Sequence, residues 1–270
     1  MGNDDVIGQD QSDQTTLNHM WKKLKNRLHR EAFITSPLAI VISPVYIVRN
    51  GLYRSILDVA PSIKGDVLDF GCGSKPYEKL FTNANSYIGV DVEVTGHNHK
   101  NSRVDFYFDG KTLPFPDDHF DAVVAFEVFE HVFNIDKTIT EIRRVLKPGG
   151  QLLITIPFAL YEHEMPFDFA RYTSSGIKHI FEKNGFGILE IKKTTTFFMA
   201  TCQLFIAYLT HILPKNIFIS RLFQLFLIFP LNLISILLNT VLPKRYELFC
   251  SSVVWGIKPT IDQHQLHQKS

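Results

Sequence analysis

Hydrophobic and polar positions divide the chain into three kinds of segment. Residues 1–16 and 259–270 are polar, which predicts disordered tails. Between 61 and 193, short apolar runs alternate with segments of helical periodicity, a pattern typical of a parallel α/β sheet with right-handed crossovers. Between 194 and 247 the chain is strongly apolar and far longer than an ordinary connection between two strands.

The sheet segment predicts six strands and two helices, and a seventh strand follows the apolar segment. Apolar positions recur at helical spacing over 136–146 and end at a Lys-Pro-Gly-Gly stop. Thr173 is the predicted cap of a second helix, 174–183. The predicted strands are residues 67–70, 87–91, 104–108, 122–126, 152–156, 187–192 and 248–257.

Residues 17–60, which precede the sheet, predict helices. Over 17–30, leucines and Trp21 recur at helical spacing among five Lys and Arg side chains. Such a basic amphipathic helix suits a membrane surface, and equally a solvated helix packed on the domain. Because Pro37 and Pro44 interrupt the next apolar run, a further helix is predicted only from about 44 to 59.

Composition limits the classes of function. At 270 residues with 45% hydrophobic residues, the chain can build one large core plus an appendage. A net charge of +1 gives no broad basic balance, so no nucleic-acid partner is expected. Three widely separated cysteines (Cys72, Cys202, Cys250), with no signal peptide at the start, predict reduced thiols in a cytoplasmic protein.

The first predicted strand runs directly into a glycine-rich turn. Asp69 stands at the end of the strand, where such sheets bind their ligands, and Gly71 and Gly73 allow the backbone to approach a ligand closely. A dinucleotide site needs a third glycine at the position that Pro76 occupies. An acid on the strand also suits a cationic amino-acid group better than a pyrophosphate.

Asp69-Phe-Gly-Cys-Gly73 resembles the first motif of the class I S-adenosylmethionine (SAM) methyltransferases. Further pieces follow in the order and spacing of the small-molecule type of that family: Asp91, Asp109-Gly110, Leu-Pro-Phe-Pro at 113–116, Glu130-His131-Val132, and Leu-Lys-Pro-Gly-Gly at 146–150. The resemblance covers 65–157. It implies a Rossmann-like, mostly parallel seven-stranded sheet with a reversed last strand, here with an apolar helical insert between strands six and seven.

The resemblance also implies roles for individual residues, with SAM as the methyl donor. It assigns Asp69, Gly71, Cys72 and Gly73 to the methionine end of SAM. Asp91 is expected at the ribose, where its carboxylate can accept from both hydroxyls. It further assigns Asp109 and Gly110 to the adenine, and Glu127 to the loop that closes over the SAM chain.

The segment 157–173 leaves the end of the fifth strand and is expected to cover the ligand crevice. An oxygen acceptor usually needs a base, for which His163 is the first choice and His131 the second. Arg171 would orient an anionic acceptor, or pair with Asp168 to fix the loop. No metal is expected, because His163 and Glu164 lack further ligands at metal-binding spacing. The remaining acceptor candidate is Tyr172.

The pattern from His163 to Thr173 resembles methyltransferases of surface-polysaccharide and lipid-linked glycan pathways. The sequence therefore predicts methyl transfer, on oxygen, to a small-molecule or lipid-linked glycan acceptor. Two alternatives stay open: a free apolar acceptor such as a quinone, and a SAM-binding protein without catalysis.

The insert at 194–247 has three interpretations. Its two uncharged runs, 197–213 and 222–242, are near the length of membrane spans. Helices lying in the membrane interface fit better, with basic side chains at their flanks (Lys215, Arg221, Lys244 and Arg245). The third interpretation is a buried lid or a homodimer surface. The prediction is a cytoplasmic protein, peripheral on the inner face of the membrane, with 248–258 closing its sheet.

Overall fold

A computed structural model describes residues 39–94, 102–213 and 216–260. The helices are α1 (Ala39–Ile42), α2 (Tyr46–Val59), α3 (Ile135–Val145), α4 (Ser174–Lys183), α5 (Phe197–Ile212), α6 (Ile217–Phe223) and α7 (Phe229–Val241). The strands are β1 (Gly65–Phe70), β2 (Ala84–Val92), β3 (Phe106–Phe108), β4 (Phe120–Phe126), β5 (Leu146–Pro157), β6 (Gly187–Lys193) and β7 (Ser251–Ile257). The predicted tail 1–16, residues 261–270 of the second predicted tail, the basic segment 17–30 and Lys215 lie outside the described residues.

The seven strands form one sheet in the order β3-β2-β1-β4-β5-β7-β6. Strands β1 to β5 pair in parallel, whereas β7 is antiparallel to both of its neighbours, β5 and β6. The predicted fold class, with its reversed last strand, is therefore confirmed. Because β6 runs with the parallel strands and β7 against them, the segment between them leaves and re-enters at the carboxyl edge of the sheet.

Helices cover both faces of the sheet because side chains alternate along each strand. Leu68 and Val123 face a core that α3 and α4 complete, while Val67 and Val124 face a core completed by α2. Because both faces of the sheet are buried, the sequences of its strands are nearly continuous apolar runs. The doubly covered sheet leaves only its ends, and the loops there, free for chemistry.

Polar side chains cap two helices, and the cap at Thr173 is the one that the sequence predicts. The Thr173 side chain accepts a hydrogen bond from the Gly176 amide at the start of α4, and the Asn134 side chain accepts from the Lys137 amide at the start of α3. Strand β5 is longer than predicted because it begins at Leu146, inside the expected helix stop. Strand β7 begins at Ser251, three residues later than predicted.

The insert is helical, and α5 is its first helix. A π-turn at Gln224–Ile228 joins α6 to α7, so the chain stays helical past Pro230, whose ring cannot fit a regular helix interior. Gln203 of α5 anchors the insert to the start of α2, donating to the Pro44 carbonyl and accepting from the Val48 amide. Within the described ranges, one helix, Ile219–Val241 with mean hydropathy 2.0, is long and apolar enough to cross a membrane.

Candidate functional site

A cavity of about 1220 Å³ opens at the carboxyl edge of the sheet. Its floor is the turn after β1 and the ends of β2 and β4, and α2 forms one wall. Residues of the acceptor loop, 158–173, cover the far side. Of the candidate residues from the sequence, nine line the cavity: Asp69, Gly71, Cys72, Gly73, Asp91, Gly110, Glu127, His131 and His163.

The turn after β1 depends on its two glycines. Gly71 has φ +69°, and a Cβ there would come within 2.6 Å of the Val128 side chain. Gly73 has φ +46°, its amide donates to the Asp91 carboxylate at 3.0 Å, and a Cβ there would meet no described atom within 4 Å. The second Asp91 oxygen accepts from the Val92 amide. Asp91 therefore holds the turn in a shape that leaves open space above Gly73.

Asp69 is buried at the end of β1. Its carboxylate accepts a hydrogen bond from the Tyr87 hydroxyl at 2.8 Å. Burial raises the pKa of this carboxyl to about 7, against the lowering effects of the Tyr87 hydrogen bond and the Lys75 charge. Lys75 is itself buried and ion-paired with Asp105. Burial also raises the pKa of the neighbouring Cys72 thiol, which therefore stays protonated at pH 7.

Asp109 lies apart from the cavity lining, although Gly110 belongs to it. Its exposed carboxylate accepts hydrogen bonds from the Lys111 and Thr112 amides, which lowers its pKa. Both of those residues line the cavity. The expected contact between Asp109 and an adenine remains a prediction; the geometry shows that Asp109 orders the turn beside it.

Glu127 follows β4 directly, with φ 55° in the left-handed region that non-glycine residues seldom adopt. Its amide donates to Thr155, and one carboxylate oxygen accepts from the Ser251 hydroxyl at 3.2 Å. The other oxygen is buried and has no hydrogen-bond partner among the described residues. Burial raises the pKa of the Glu127 carboxyl. Strain and an unpartnered acid at one cavity position indicate a functional role.

His131 and Glu130 stand on the turn after Glu127. The Phe167 carbonyl lies 2.8 Å from Nδ1 of His131, and the Glu130 carbonyl accepts from the Phe169 amide, so this turn and the acceptor loop hold each other. The Glu130 side chain is fully buried, and neither carboxylate oxygen has a partner within the described chain. Burial, and then the nearby Glu127 charge, raise the Glu130 pKa well above its usual range.

On the acceptor loop, Asp168 and Arg171 form a two-point ion pair. The Asp168 carboxylate is fully buried and also accepts from the His163 amide. Arg171 and these hydrogen bonds lower the Asp168 pKa to about 2. Burial lowers the pKa of the adjacent His163, which favours its neutral form near pH 7. Neither Asp168 nor Arg171 lines the cavity, as expected of a pair that fixes the loop.

Tyr172 packs against the core on the α3 and α4 side of the sheet and does not line the cavity. Its predicted part in acceptor binding thus has no geometric support in the described residues. The residue that sequence reasoning missed is Glu130, which the prediction treated only as part of a family motif. Its unpartnered, buried carboxylate becomes visible only in the folded chain.

The fold brings Glu130, His131 and His163 together, with one possible ligand atom of each within 4.8 Å of the others. The His131 and His163 rings are 5.1 Å apart, centre to centre. The carboxylate of Glu164 lies 3.9 Å from Nε2 of His131. Two separate segments of the chain therefore bring imidazoles and carboxylates together at the cavity.

A family model described as a methyltransferase domain matches residues 48–191, more than half of the chain. The chain belongs to this methyltransferase family. Its sheet order and the glycine turn agree with the class I SAM-dependent fold that the sequence resembles.

The curated relatives of this methyltransferase domain are named for different activities. A probable S-adenosylmethionine-dependent methyltransferase of Mycolicibacterium smegmatis is 32% identical over 137 residues, 49% of this chain and 51% of that protein. A fatty-acid O-methyltransferase of the same organism is 35% identical over 114 residues, 38% of this chain and 41% of that protein. The chain thus spans about half, or less, of the length of these curated relatives.

A solved structure shares the fold of the methyltransferase domain. The phosphoethanolamine N-methyltransferase 2 of Haemonchus contortus, solved with SAM, superposes with a TM-score of 0.50 over 82% of this chain and 57% of that one, at 18% identity. At that identity the likeness concerns the fold alone.

The cavity of the methyltransferase domain fits SAM. Gly73 leaves open space above the turn, and two buried carboxylates, Asp69 and Asp91, stand at the ends of adjacent strands. Asp69 would face the cationic methionine end, and Asp91 retains lone pairs for ribose hydroxyls beside the two amides it already accepts. SAM would supply an electrophilic methyl group on a sulfonium.

Proposed function

We propose that the protein is a SAM-dependent O-methyltransferase that acts on a lipid-linked glycan intermediate at the cytoplasmic surface of a membrane. The observation that carries the proposal is the position of the insert. Its helices leave and re-enter the sheet at the carboxyl edge, the same edge at which the cavity opens. An acceptor held at the bilayer surface would then meet the cavity without leaving the lipid.

Different residues of the chain bind the donor and accept the proton of the acceptor. Asp69 and Asp91 bind and orient the donor, and the strained backbone at Glu127 places a carboxylate beside it. Methyl transfer needs the acceptor oxygen in line with the methyl–sulfur bond at close range. A neutral His163 imidazole offers a lone pair for the acceptor proton, and the His163 amide is fixed by the ion-paired Asp168. The acceptor hydroxyl would therefore lie near His163.

Contacts between the insert and the cavity wall support a shared surface. Tyr161, which lines the cavity, stacks edge-on against His211 of α5 at 4.6 Å between ring centres. Gln203, also in α5, holds the start of α2, whose residues Val48 and Arg49 line the same cavity. Movement of α5 on binding a membrane would therefore be transmitted directly to the cavity.

The outer faces of the insert support lipid as the partner. On α5, the buried residues recur on one face, and large apolar side chains occupy the opposite one: Phe197, Phe205, Tyr208 and Ile212. On α7, the exposed positions include Ile234, Leu237 and Val241, the last 77% exposed. Exposed apolar surface of this extent is unusual on a soluble monomer, and it matches helices that lie in a membrane interface.

A second candidate is a free apolar acceptor, with the insert acting as a lid. The relative named as a fatty-acid O-methyltransferase favours it, since a fatty acid also presents an oxygen nucleophile on an apolar chain. A SAM-binding protein without catalysis is the third, and strained Glu127 and the convergent histidines of the cavity argue against it.

The function is tested with SAM labelled in its methyl group. The full chain is incubated with labelled SAM and a membrane extract of the source cells, and the products are partitioned between organic solvent and water. We expect label in the organic phase, at a glycan that mild acid releases from its lipid. Label in a free fatty acid or quinone would favour the second candidate, in which the acceptor is a free apolar molecule and the insert is a lid. Intact SAM binding without any labelled product would refute catalysis on these acceptors.

Membrane docking has its own test. Flotation with vesicles containing anionic lipid compares the wild type with a variant carrying Ile234→Glu, Leu237→Glu and Val241→Glu. These side chains are exposed, so the fold and SAM affinity are expected to survive while flotation falls at least tenfold. The matched control places three glutamates at exposed polar positions outside the insert, Thr82, Ser175 and His179. Equal flotation of all three proteins would refute docking through the insert.

A further inference from the structure

We propose that Glu130, His131 and His163 bind one divalent first-row transition-metal cation at the acceptor end of the cavity. The three side chains come from two segments that are 32 residues apart in sequence, and each offers a ligand atom within 4.8 Å of the others. The imidazoles line the cavity, and the Glu130 carboxylate lies behind them. A cation there would have protein on one side and open space on the other.

The hydrogen bond at His131 fixes which of its nitrogens can bind a metal. A carbonyl oxygen only accepts, so the Nδ1 that lies 2.8 Å from the Phe167 carbonyl carries a proton. In the neutral imidazole, Nε2 then presents a lone pair. The Nε2 atom lies 3.8 Å from a Glu130 oxygen and 3.9 Å from a Glu164 oxygen. A backbone carbonyl behind the ring and a free nitrogen in front is the usual arrangement of a metal-ligating histidine.

The buried carboxylate of Glu130 gives a second, independent indication. Its two oxygens are fully buried and lack hydrogen-bond donors among the residues that the structure describes. A buried polar group without a hydrogen-bond donor destabilises the fold, and more so when the group is charged. One oxygen is directed towards His131. A cation between the two would satisfy the carboxylate and the Nε2 lone pair together.

His163 completes the set from the acceptor loop. Nδ1 of His163 lies 3.4 Å from the buried Asp168 carboxylate and 3.4 Å from Nη2 of Arg171, so this ion pair holds the imidazole in place from that side. The His163 and His131 rings are already 5.1 Å apart between centres. Ligands bound to one cation at about 2.0–2.2 Å are closer together than this cluster, so binding would draw the loop towards the turn that carries Glu130.

The ligand types select the class of metal. Two imidazole nitrogens with one or two carboxylate oxygens suit Mn²⁺, Fe²⁺, Co²⁺ or Zn²⁺, whereas Mg²⁺ and Ca²⁺ prefer oxygen ligands throughout. The catalytic consequence rests on the proposed function. A cation that contacts the acceptor hydroxyl would lower its pKa, so that its proton is lost to solvent before the oxygen attacks the methyl carbon and the sulfur keeps the bond electrons. His163 would then act as a ligand instead of a base.

The test measures the metal directly. The chain, without a tag, is treated with a chelator, and Zn²⁺ and Mg²⁺ are titrated by calorimetry, with the visible absorption of Co²⁺ as a second readout. We expect one Zn²⁺ per chain, a Co²⁺ spectrum of nitrogen and oxygen coordination, and Mg²⁺ bound at least a hundredfold more weakly. Glu130→Gln and His163→Gln are each expected to weaken Zn²⁺ binding at least tenfold.

His179→Gln serves as the matched control, because His179 is exposed on α4 and lies outside the cluster. Circular dichroism and SAM affinity check the fold, and His163→Gln, in a loop, keeps the test valid if the buried Glu130→Gln variant misfolds. Binding that is absent from the wild type, or equal in all variants, refutes the site. If Zn²⁺ binds at one ion per chain but no methyl group is transferred, the metal site stands and the proposed function is refuted. If methyl transfer is unaffected by the chelator and no Zn²⁺ binds, the metal site is refuted and the proposed function stands.

Discussion

The two ends of the cavity differ in how their buried acids are held. At the cofactor end, Asp91 accepts two backbone amides and Asp69 accepts the Tyr87 hydroxyl. At the acceptor end, both oxygens of Glu130 lack hydrogen-bond donors within the described ranges. Polar groups that are satisfied by the fold are preorganised for a ligand, whereas buried, unsatisfied ones store a cost that a ligand can remove.

The difference teaches where each end obtains its specificity. The cofactor end is built from consecutive strands and one glycine turn, so its shape is set once the sheet forms. The acceptor end joins a turn after β4 to a long loop, through contacts such as Phe169 with Glu130. Its final geometry depends on what binds there. Experiments at four residues test this contrast, beginning with the largest expected effect.

Asp168 is the exception at the acceptor end, since it is buried and fully paired, and its loss should be the most damaging. Asp168→Asn leaves Arg171 without its ion partner, and we expect a loss of about 3 kcal/mol in unfolding free energy, measured in urea at pH 7. Asp117→Asn, which removes an exposed partner of Arg144, should cost under about 1 kcal/mol. Equal losses would refute a structural role for the Asp168 pair.

The same pair has a defined pH dependence. The folded-state pKa of Asp168 is lowered to about 2, below its ordinary value of 3.8. Its contribution to stability is therefore complete above about pH 4 and is lost as the pH falls from 4 towards 2. The Asp168→Asn variant should lack this component of the acid unfolding profile.

Asp91 tests the preorganised end. Asp91→Ala removes the acceptor of the Gly73 and Val92 amides, so the turn loses its shape and SAM loses a hydrogen-bonding carboxylate. Hydrogen bonds to charged groups contribute about 1.5–3 kcal/mol, so SAM affinity by calorimetry should fall roughly ten- to a hundredfold. Asp58→Ala, at an exposed acid of α2, is the control and should leave affinity unchanged. An unaltered affinity in Asp91→Ala would contradict the assigned cofactor end.

The pH dependence of SAM binding tests the role of Asp69 at the cofactor end. The pKa of the Asp69 carboxyl is raised to about 7 in the fold. The ligand-free protein therefore loses stability as the pH rises from about 4 to 7 and this buried acid ionises. The cationic end of SAM prefers the ionised form, so SAM affinity should increase about tenfold between pH 6 and pH 8.

Asp69→Asn is the control for this pH effect, since it removes the titrating group while keeping its size. Its SAM affinity should be weaker at pH 8 and nearly independent of pH. Tyr87→Phe removes the hydrogen bond that lowers the Asp69 pKa, so the rise in affinity should move to higher pH. An identical pH profile in all three proteins would rule out Asp69 as the group responsible.

Glu130 gives the smallest expected effect and the most direct test of the comparison. Because its carboxylate lacks hydrogen-bond donors in the described structure, Glu130→Gln removes no such bond. The unfolding free energy of the chelator-treated protein should change by less than about 1 kcal/mol. With Zn²⁺ present, the wild type alone should gain stability. A large loss in the chelated variant would show that Glu130 is already satisfied by the fold.

Much of this architecture follows from the sequence by itself. The seven strands, the helix cap at Thr173, and the glycine turn depend on local patterns: apolar runs, a polar cap, and residues that tolerate positive φ. The family matched to residues 48–191 agrees with the motifs in that stretch. Asp69, Gly73 and Asp91 could be placed at the site because the ends of parallel strands meet at one edge.

Tertiary structure alone decided the acceptor end. Local sequence patterns do not show that Tyr172 packs in the core or that Glu130 is buried without hydrogen-bond donors. At the cofactor end, they likewise do not show that Asp109 lies outside the cavity lining. The outcomes at the acceptor end depend on how the loop 158–173 folds back across the sheet, through contacts between residues over 30 positions apart. Local propensity fixes strands and caps, because their interactions are near in sequence; the convergence of Glu130, His131 and His163 is set only by packing at long range.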